Sequence, residues 1–228
     1  MANRLLAKVP ADELKFLQPH FEPVSLDVGY PLIKPREIIR DVYFPTTALA
    51  SLVTVLEDGS TIEAGSIGRE GMAGIPVVLG LETTPMQTVI QVKGDLIRVR
   101  ASVVKELHAQ RRAFHDLLNR YVHALFVVAS QSAACNRRHQ LSARLARWVM
   151  MSSDGIGSDE VGLTHEYLAA MLGVRRSGVT EAALALQSQV LIESKRGGIR
   201  ILDREGLTNA ACECYRLVRM EFERLFGS

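Results

Sequence analysis

The sequence predicts an α+β fold: an N-terminal antiparallel β jelly roll, a long dimerisation helix, and a C-terminal winged helix-turn-helix. Three observations predict it. Short β-prone runs separated by turn signals fill the stretch from Pro23 to about Arg100. A stretch without Gly or Pro then reads as one helix from Arg111 to about Asn136. Beyond it, Leu163–Leu184 has the spacing of a helix, a tight turn and a second helix, with a basic hairpin after it. At 228 residues the chain has room for more than one domain. The expected boundaries are 1–108, 109–136 and 137–228.

Residues 1–22 read as a short helical preface, with Leu5, Leu6, Leu14 and Leu17 as its apolar contacts. The β-prone runs are Val24–Leu26, Ile38–Ile39, Val42–Phe44, Ala50–Leu56, Thr61–Ala64, Thr88–Val92 and Asp95–Val99. Val28-Gly29-Tyr30-Pro31, Asp58-Gly59 and Lys93-Gly94-Asp95 are the turns between them. Many short strands at close spacing suit a sandwich or jelly roll. Ser102 to about Leu107 reads as a small helix.

In the long helix, Phe114, Leu117, Leu118, Tyr121, Leu125 and Val128 form an apolar stripe at three- and four-residue spacings. At about 1.5 Å per residue the helix spans roughly 35–40 Å. A second copy of itself is the simplest partner for so long a stripe, which makes those six residues the expected dimer interface. His139–Met151 reads as another amphipathic helix, Ser152–Ser158 as a loop, and Arg204 or Glu205 to about Phe226 as a closing helix.

The helix-turn-helix reading rests on particular residues. Thr164 is placed to cap the first helix, its hydroxyl accepting a bond from a first-turn amide. Leu168, Ala169 and Leu172 share one face, and Ala169 is small where two helices must approach closely. Gly173 sits where the turn favours positive φ. Val174, Val179, Ala182 and Leu186 carry the apolar seam onward. With Val179 inward, Ser177, Thr180 and Glu181 point away from the core and Arg176 lies on the flank. These are side chains able to read base edges in a major groove. Thr164 and Arg175, near the helix starts, are placed for phosphates. Lys195 and Arg196 lie in the hairpin Leu191–Leu202, whose turn contains Gly197-Gly198, and would reach phosphate or the minor groove. Duplex DNA is therefore the expected partner.

The net charge is only +2, with +2 on residues 135–228 and zero on the rest. Nucleic-acid affinity must come from local placement of Arg175, Arg176, Lys195, Arg196 and Arg200, a handful of phosphate contacts that favours binding as a dimer. No secretory pattern opens the chain and no apolar run approaches a membrane span, so the expected location is the cytoplasm, away from membranes. Three cysteines argue against a disulfide framework.

The order of jelly roll, long helix and winged helix-turn-helix resembles the CRP/FNR family of bacterial transcription regulators. Leu163–Leu186, the hairpin Leu191–Asp203, and Val53–Gly59 followed by Ile67–Met72 carry the resemblance. It implies a non-enzymatic homodimer that binds a palindromic promoter site, with RNA polymerase as a further partner. Residues 1–108 would be a cyclic-nucleotide-binding-like sensor and the long helix the transmitter. Well-known members carry Arg-Glu at the start of the reading helix and a second Arg five residues after the first. Here Arg176-Ser177 and then Glu181 stand at those places, which implies a different half-site.

Cyclic-nucleotide-binding relatives hold the ribose with a Gly-Glu pair and the phosphate with an Arg-Ser/Thr pair. Here Met72 follows Gly71, and no Arg lies between Arg69 and Arg98, which argues against cAMP. The ligand residues stay unassigned, and a small ligand in a different pocket is the alternative. No cofactor and no metal is expected. Iron–sulfur sensing needs about four Cys ligands, and the three present all lie at or beyond Cys135. Cys212 and Cys214 on one helix would sit about 200° apart, on different faces. Haem would need His108, His115 or His123, which read instead as surface or interface residues. A cupin enzyme would need clustered His on the strands, and no His or Cys lies between Phe21 and Leu107. A helix-turn-helix that binds protein would have no use for Arg175, Arg176 and the basic hairpin together.

Overall fold

The computed structural model of the chain describes residues 2–195 and 197–227. Helix α1 (Ala11–Leu17) leads into strands β1 (Glu22–Leu26), β2 (Pro31–Ile33), β3 (Asp41–Pro45), β4 (Leu49–Val55) and β5 (Thr61–Ile67). A one-turn helix α2 (Ile75–Val78) precedes β6 (Gln87–Val92) and β7 (Gly94–Arg100). The strands form two antiparallel sheets, ordered β1-β7-β3 and β2-β6-β4-β5. One apolar core draws on both: Val42, Phe44, Leu96 and Val99 from the first, Ile33, Ala50, Ile67 and Ile90 from the second. This is the expected β domain, with two differences. Ile38–Ile39 forms no strand, and β2 falls on Pro31–Ile33, an unpredicted strand that begins at the last residue of the expected turn Val28–Pro31.

Helices α3 (Ala101–Gln110), α4 (Arg112–Arg138) and α5 (Leu141–Ile156) follow. The α5 helix runs through the expected loop at Ser152–Ser158 because Ser152, Ser153 and Gly155 are buried against neighbours. It stops where Gly157 takes φ 73° as its cap. Strand β8 (Glu160–Val161), α6 (His165–Leu172), α7 (Arg176–Ser188), β9 (Ile192–Lys195), β10 (Gly198–Ile201), α8 (Arg204–Ala210) and α9 (Glu213–Phe226) complete the chain. The β8-β10-β9 sheet is the wing, one strand larger than the expected hairpin. The expected single closing helix is two, broken at Ala211-Cys212, where Cys212 is extended at ψ 160°. A second core, including Leu145, Trp148, Leu168, Val179, Leu186, Ile192, Ile201 and Leu207, holds the helix-turn-helix together. The end of α9 returns to the first core through Leu225 and Phe226.

The expected dimer stripe on α4 faces inward. Phe114, Leu117, Leu118 and Tyr121 belong to the chain's own first core, Val128 is buried, and Leu125 packs partly buried against the same core. A stripe of bulky apolar residues is claimed first by the domain tethered to it. Strand β5 passes so close that a Cβ added at Gly65 would come within 2.8 Å of Val128 Cγ1. The Tyr121 hydroxyl donates to the Met72 carbonyl (3.2 Å) and accepts from the Met72 amide (3.0 Å). These residues therefore form the joint between α4 and the β domain, with only Leu125 left partly exposed.

A different face of α4 is more exposed. Asn119, Val122, Phe126, Ala129, Ala133 and Asn136 recur at alternating steps of three and four, the period of a two-helix seam. Phe126 is 69% exposed, an unusual place for an aromatic ring at the middle of a 27-residue helix.

Candidate DNA-binding surface

The α6–turn–α7 unit forms for the local reasons the residues dictate. Thr164 Oγ1 accepts from the Tyr167 amide at 3.3 Å, capping α6. Gly173 closes α6 at φ 64°, and Val174 N–H returns to the Ala169 carbonyl at 3.0 Å. Helix α7 buries Val179, Ala182, Ala183 and Leu186. On the other side, Arg175, Arg176, Ser177 and Glu181 are exposed together around its N-terminal turn. Among the described residues, neither arginine is held in an ion pair.

Two predicted contacts are already engaged. Thr180 is half-buried, its Oγ1 donating to the Arg176 carbonyl (3.1 Å) and lying 3.2 Å from His165 Nδ1. The sequence reading passed over His165. It sits at the first position of α6, where its ring can fix the Thr180 rotamer. In the wing, Lys195 Nζ lies 3.5 Å from Glu193 and 3.8 Å from Glu160. Arg200 shares both acids, and its guanidinium holds the Glu160 carboxyl below the usual range. The wing cations are thus partly neutralised by their own sheet. Arg196 lies outside the described residues.

Arg144, another residue without a distinctive sequence signal, ties the reading unit to α4. Its Nη2 donates to the Leu172 carbonyl at the end of α6 and to Asn136 Oδ1 (2.8 Å). A cation at a helix C-terminus also complements the helix dipole.

The β domain touches the reading unit directly. The β4–β5 turn, Gly59–Ile62, lines a cleft with Ala169, Ala170, Gly173, Val174 and Arg175. Below it, Glu63 of β5 accepts from Trp148 Nε1 of α5 at 3.2 Å, from Ser51 Oγ at 2.5 Å and from Gln91 Nε2 at 3.1 Å. Burial pushes its carboxyl above the usual range despite those donors. At a second joint, Arg69 N–H donates to the Gly155 carbonyl (2.8 Å) and Arg69 Nε to the Asp154 carbonyl (3.1 Å). Any side chain on Gly68 would strike the Gly155 backbone.

The Gly71-Met72 step is tightly packed. Met72 is fully buried, and a Cβ at Gly71 would come within 2.1 Å of the Tyr121 hydroxyl oxygen. A cavity of about 370 Å³ lies instead between the β domain and the helices, walled by Arg4, Arg69, Glu70, Asp154, Arg204 and Tyr215 among others. His108 and His115 contact each other, ring centroids 4.4 Å apart, and His123 lies 3.5 Å from Glu221.

The cysteines depart from expectation. Cys212 is the extended residue before α9, not part of it, so the 200° separation from Cys214 does not apply. Both are buried, and Cys135 Sγ lies 3.4 Å from Cys212 Sγ.

Residues 143–210 match the Crp-like helix-turn-helix domain family. A CRP/FNR-family transcriptional regulator from Eubacterium rectale superimposes with a TM-score of 0.67 at 16% identity, covering 90% of this chain and 96% of that one. FixK2 from Bradyrhizobium japonicum gives 0.70 at 15% identity, covering 84% and 98%. The c-di-GMP-responsive global regulator CLP of Xanthomonas campestris gives 0.65 at 12%, covering 84% and 99%. Among curated proteins, none matches the chain by sequence. Residues 143–210 are thus a Crp-like helix-turn-helix domain, and the chain as a whole shares the fold of these regulators. Among the described residues no helix is long and apolar enough to cross a membrane.

Proposed function

We propose that the chain works as a homodimer that binds a two-fold symmetric promoter site, inserting the N-terminal turn of each α7 into a major groove. The observation that carries this reading is the cluster of Arg175, Arg176, Ser177 and Glu181 on the exposed side of α7, opposite a fully buried apolar side. Arg176, Ser177 and Glu181 would read bases, and Thr180 would join them once it leaves His165. Thr164, Arg175 and Lys195 would meet phosphates. The dimer would pair the α4 helices through Val122, Phe126, Ala129 and Ala133. Residues 1–108 would act as sensor, 109–136 as transmitter and 137–228 as reader.

The regulator acts by binding, without catalysis of its own. Promoter DNA places its work in the cytoplasm, where a bound dimer would meet RNA polymerase. Its effector would not be cAMP held in the usual way, because Met72 follows Gly71 where a Glu would hold the ribose and no Arg between Arg69 and Arg98 would hold the phosphate. The cavity beside Arg4, Arg69 and Arg204 is the better place for a small ligand, since it touches both domains.

Selection of bound duplexes from a random pool tests the reading. The expected product is two inverted half-sites about one helical turn apart, with affinity that falls steeply as salt rises. Arg176→Ala is expected to relax preference at one base pair by about 1–3 kcal/mol. Absence of salt-sensitive DNA binding would overturn the proposal. Uniform weakening on all sequences would make Arg176 a phosphate contact.

A further inference from the structure

We propose that Cys135, His139, Cys212 and Cys214 bind one zinc ion, which clasps the start of α9 to the junction between α4 and α5. Their four donor atoms lie within 4.8 Å of one another. Two of the edges are 3.4 Å (Cys135 Sγ to Cys212 Sγ) and 3.7 Å (Cys214 Sγ to His139 Nδ1). Zinc bonds of about 2.3 Å to sulfur and 2.0–2.1 Å to nitrogen give tetrahedral edges of about 3.5–3.8 Å. The set therefore fits a single ion. Thiolates bound to different irons of a cluster would stand farther apart.

The backbone explains how these residues converge. Cys135 occupies the last turn of α4, and His139 is its extended C-cap, at ψ 148°. Cys212 is the extended residue before α9, and Cys214 lies in its first turn, so the pair approaches from two directions. A helix N-terminus also favours the thiolate form that metals require.

The surroundings carry the same signature independently of the four ligands. His139 turns Nδ1 toward Cys214, and its other nitrogen, Nε2, lies 3.1 Å from the Glu213 carboxylate. That is the carboxylate–histidine–metal arrangement, which fixes the tautomer and orients the ring. Three thiolates and a neutral imidazole around Zn²⁺ leave one net negative charge. Arg144 and Arg147, both nearly buried, supply positive charge beside it, and the Nε of each is buried without a hydrogen-bond partner among the described residues. All three cysteines are buried, so the site is closed, as structural zinc sites are. Arg144 also holds the end of α6, which connects the clasp to the reading unit.

Titration of the reduced full-length protein with Co²⁺ tests the site. The expected result is one Co²⁺ per chain, with the intense visible bands of a tetrahedral ion, thiolate charge transfer in the near ultraviolet, and displacement by one equivalent of Zn²⁺. Cys214→Ser should abolish the thiolate-rich spectrum. Glu213→Gln keeps all four ligands and should weaken Co²⁺ binding by about 10–100-fold. It also provides the decisive variant should the cysteine substitutions fail to fold. Weak octahedral absorption alone, an iron–sulfur chromophore, or a Cys135–Cys212 disulfide that persists under reducing conditions would each overturn the proposal.

Discussion

Two faces of α4 follow the same alternation of threes and fours and have opposite roles. One, from Phe114 through Leu118, Tyr121, Leu125 and Val128 to Cys135, is sunk against the chain's own β domain and its neighbours. The other, from Asn119 through Val122, Phe126, Ala129 and Ala133 to Asn136, is exposed at Asn119, Phe126, Ala133 and Asn136 and partly buried at Val122 and Ala129. The inward face carries large residues because it fills an irregular space between sheet and helix. The outward face is mostly small, with one aromatic, as suits two helices that must approach closely. Periodicity therefore shows that a face is apolar, while side-chain size says more about what it is apolar toward.

The largest effect that separates the faces should come from the inward one. Leu118 is fully buried, and Leu118→Ala is expected to lower the unfolding free energy by about 2–5 kcal/mol. Denaturant titration at fixed protein concentration measures this. A loss below about 1 kcal/mol would mean the joint between α4 and the β domain is looser than its packing. Phe126→Glu should act the other way round. We expect dimer dissociation at least tenfold easier in sedimentation, equivalent to about 1.4 kcal/mol or more, with unchanged circular dichroism. An intact dimer would remove the outward face from the interface.

A finer effect tests what Tyr121 contributes to the inward face. Gly71 has no room for a methyl group because the Tyr121 hydroxyl and the adjoining edge of its ring occupy it. Gly71→Ala is expected to cost about 1–3 kcal/mol through overpacking. Tyr121→Phe removes the nearest of three clashing atoms and leaves the ring carbons Cζ and Cε2, at 2.7 and 2.9 Å, so the double variant should be somewhat less destabilised than the two single effects combined. Strict additivity in thermal unfolding would show that the clash is relieved elsewhere.

Much of the molecule was legible in its sequence, and the exceptions share a cause. Thr164, Gly173 and Val179 announce the helix-turn-helix because cap, turn and seam are all local requirements. The strands were legible from alternation and turn chemistry. What failed depended on contacts between distant segments. The α4 stripe could not reveal that β5 would cover it, since Gly65 and Val128 are 63 positions apart. The cysteine group was hidden because the break at Ala211-Cys212 replaces helical geometry with an extended residue. Lys195 looked free until Glu160 and Glu193 were brought beside it by the wing register. Thr180 likewise looked free until His165 folded onto it.

The smallest expected effect lies farther along β5, where the inward face gives way to the contact with α5. Glu63 is half-buried among Ser51, Gln91 and Trp148, with Arg147 and Tyr167 as its charged and titratable neighbours. Desolvation outweighs those donors and the Arg147 charge, so the folded carboxyl keeps its proton above the ordinary value of 4.5. Between the ordinary and the raised value the folded state binds more protons than the unfolded state, so stability falls as pH rises through that window. Below the window this loss is absent, and above it the full cost of burying the charge is present. Glu70, raised by its own burial, adds a slope of the same sign, so wild type alone cannot isolate Glu63. The difference in unfolding free energy between wild type and Glu63→Gln can. It should slope against wild type by less than one proton across the window and be flat outside it. A flat difference throughout would mean that Arg147 and the three donors fully offset desolvation, and that this contact between β domain and reader is insensitive to pH.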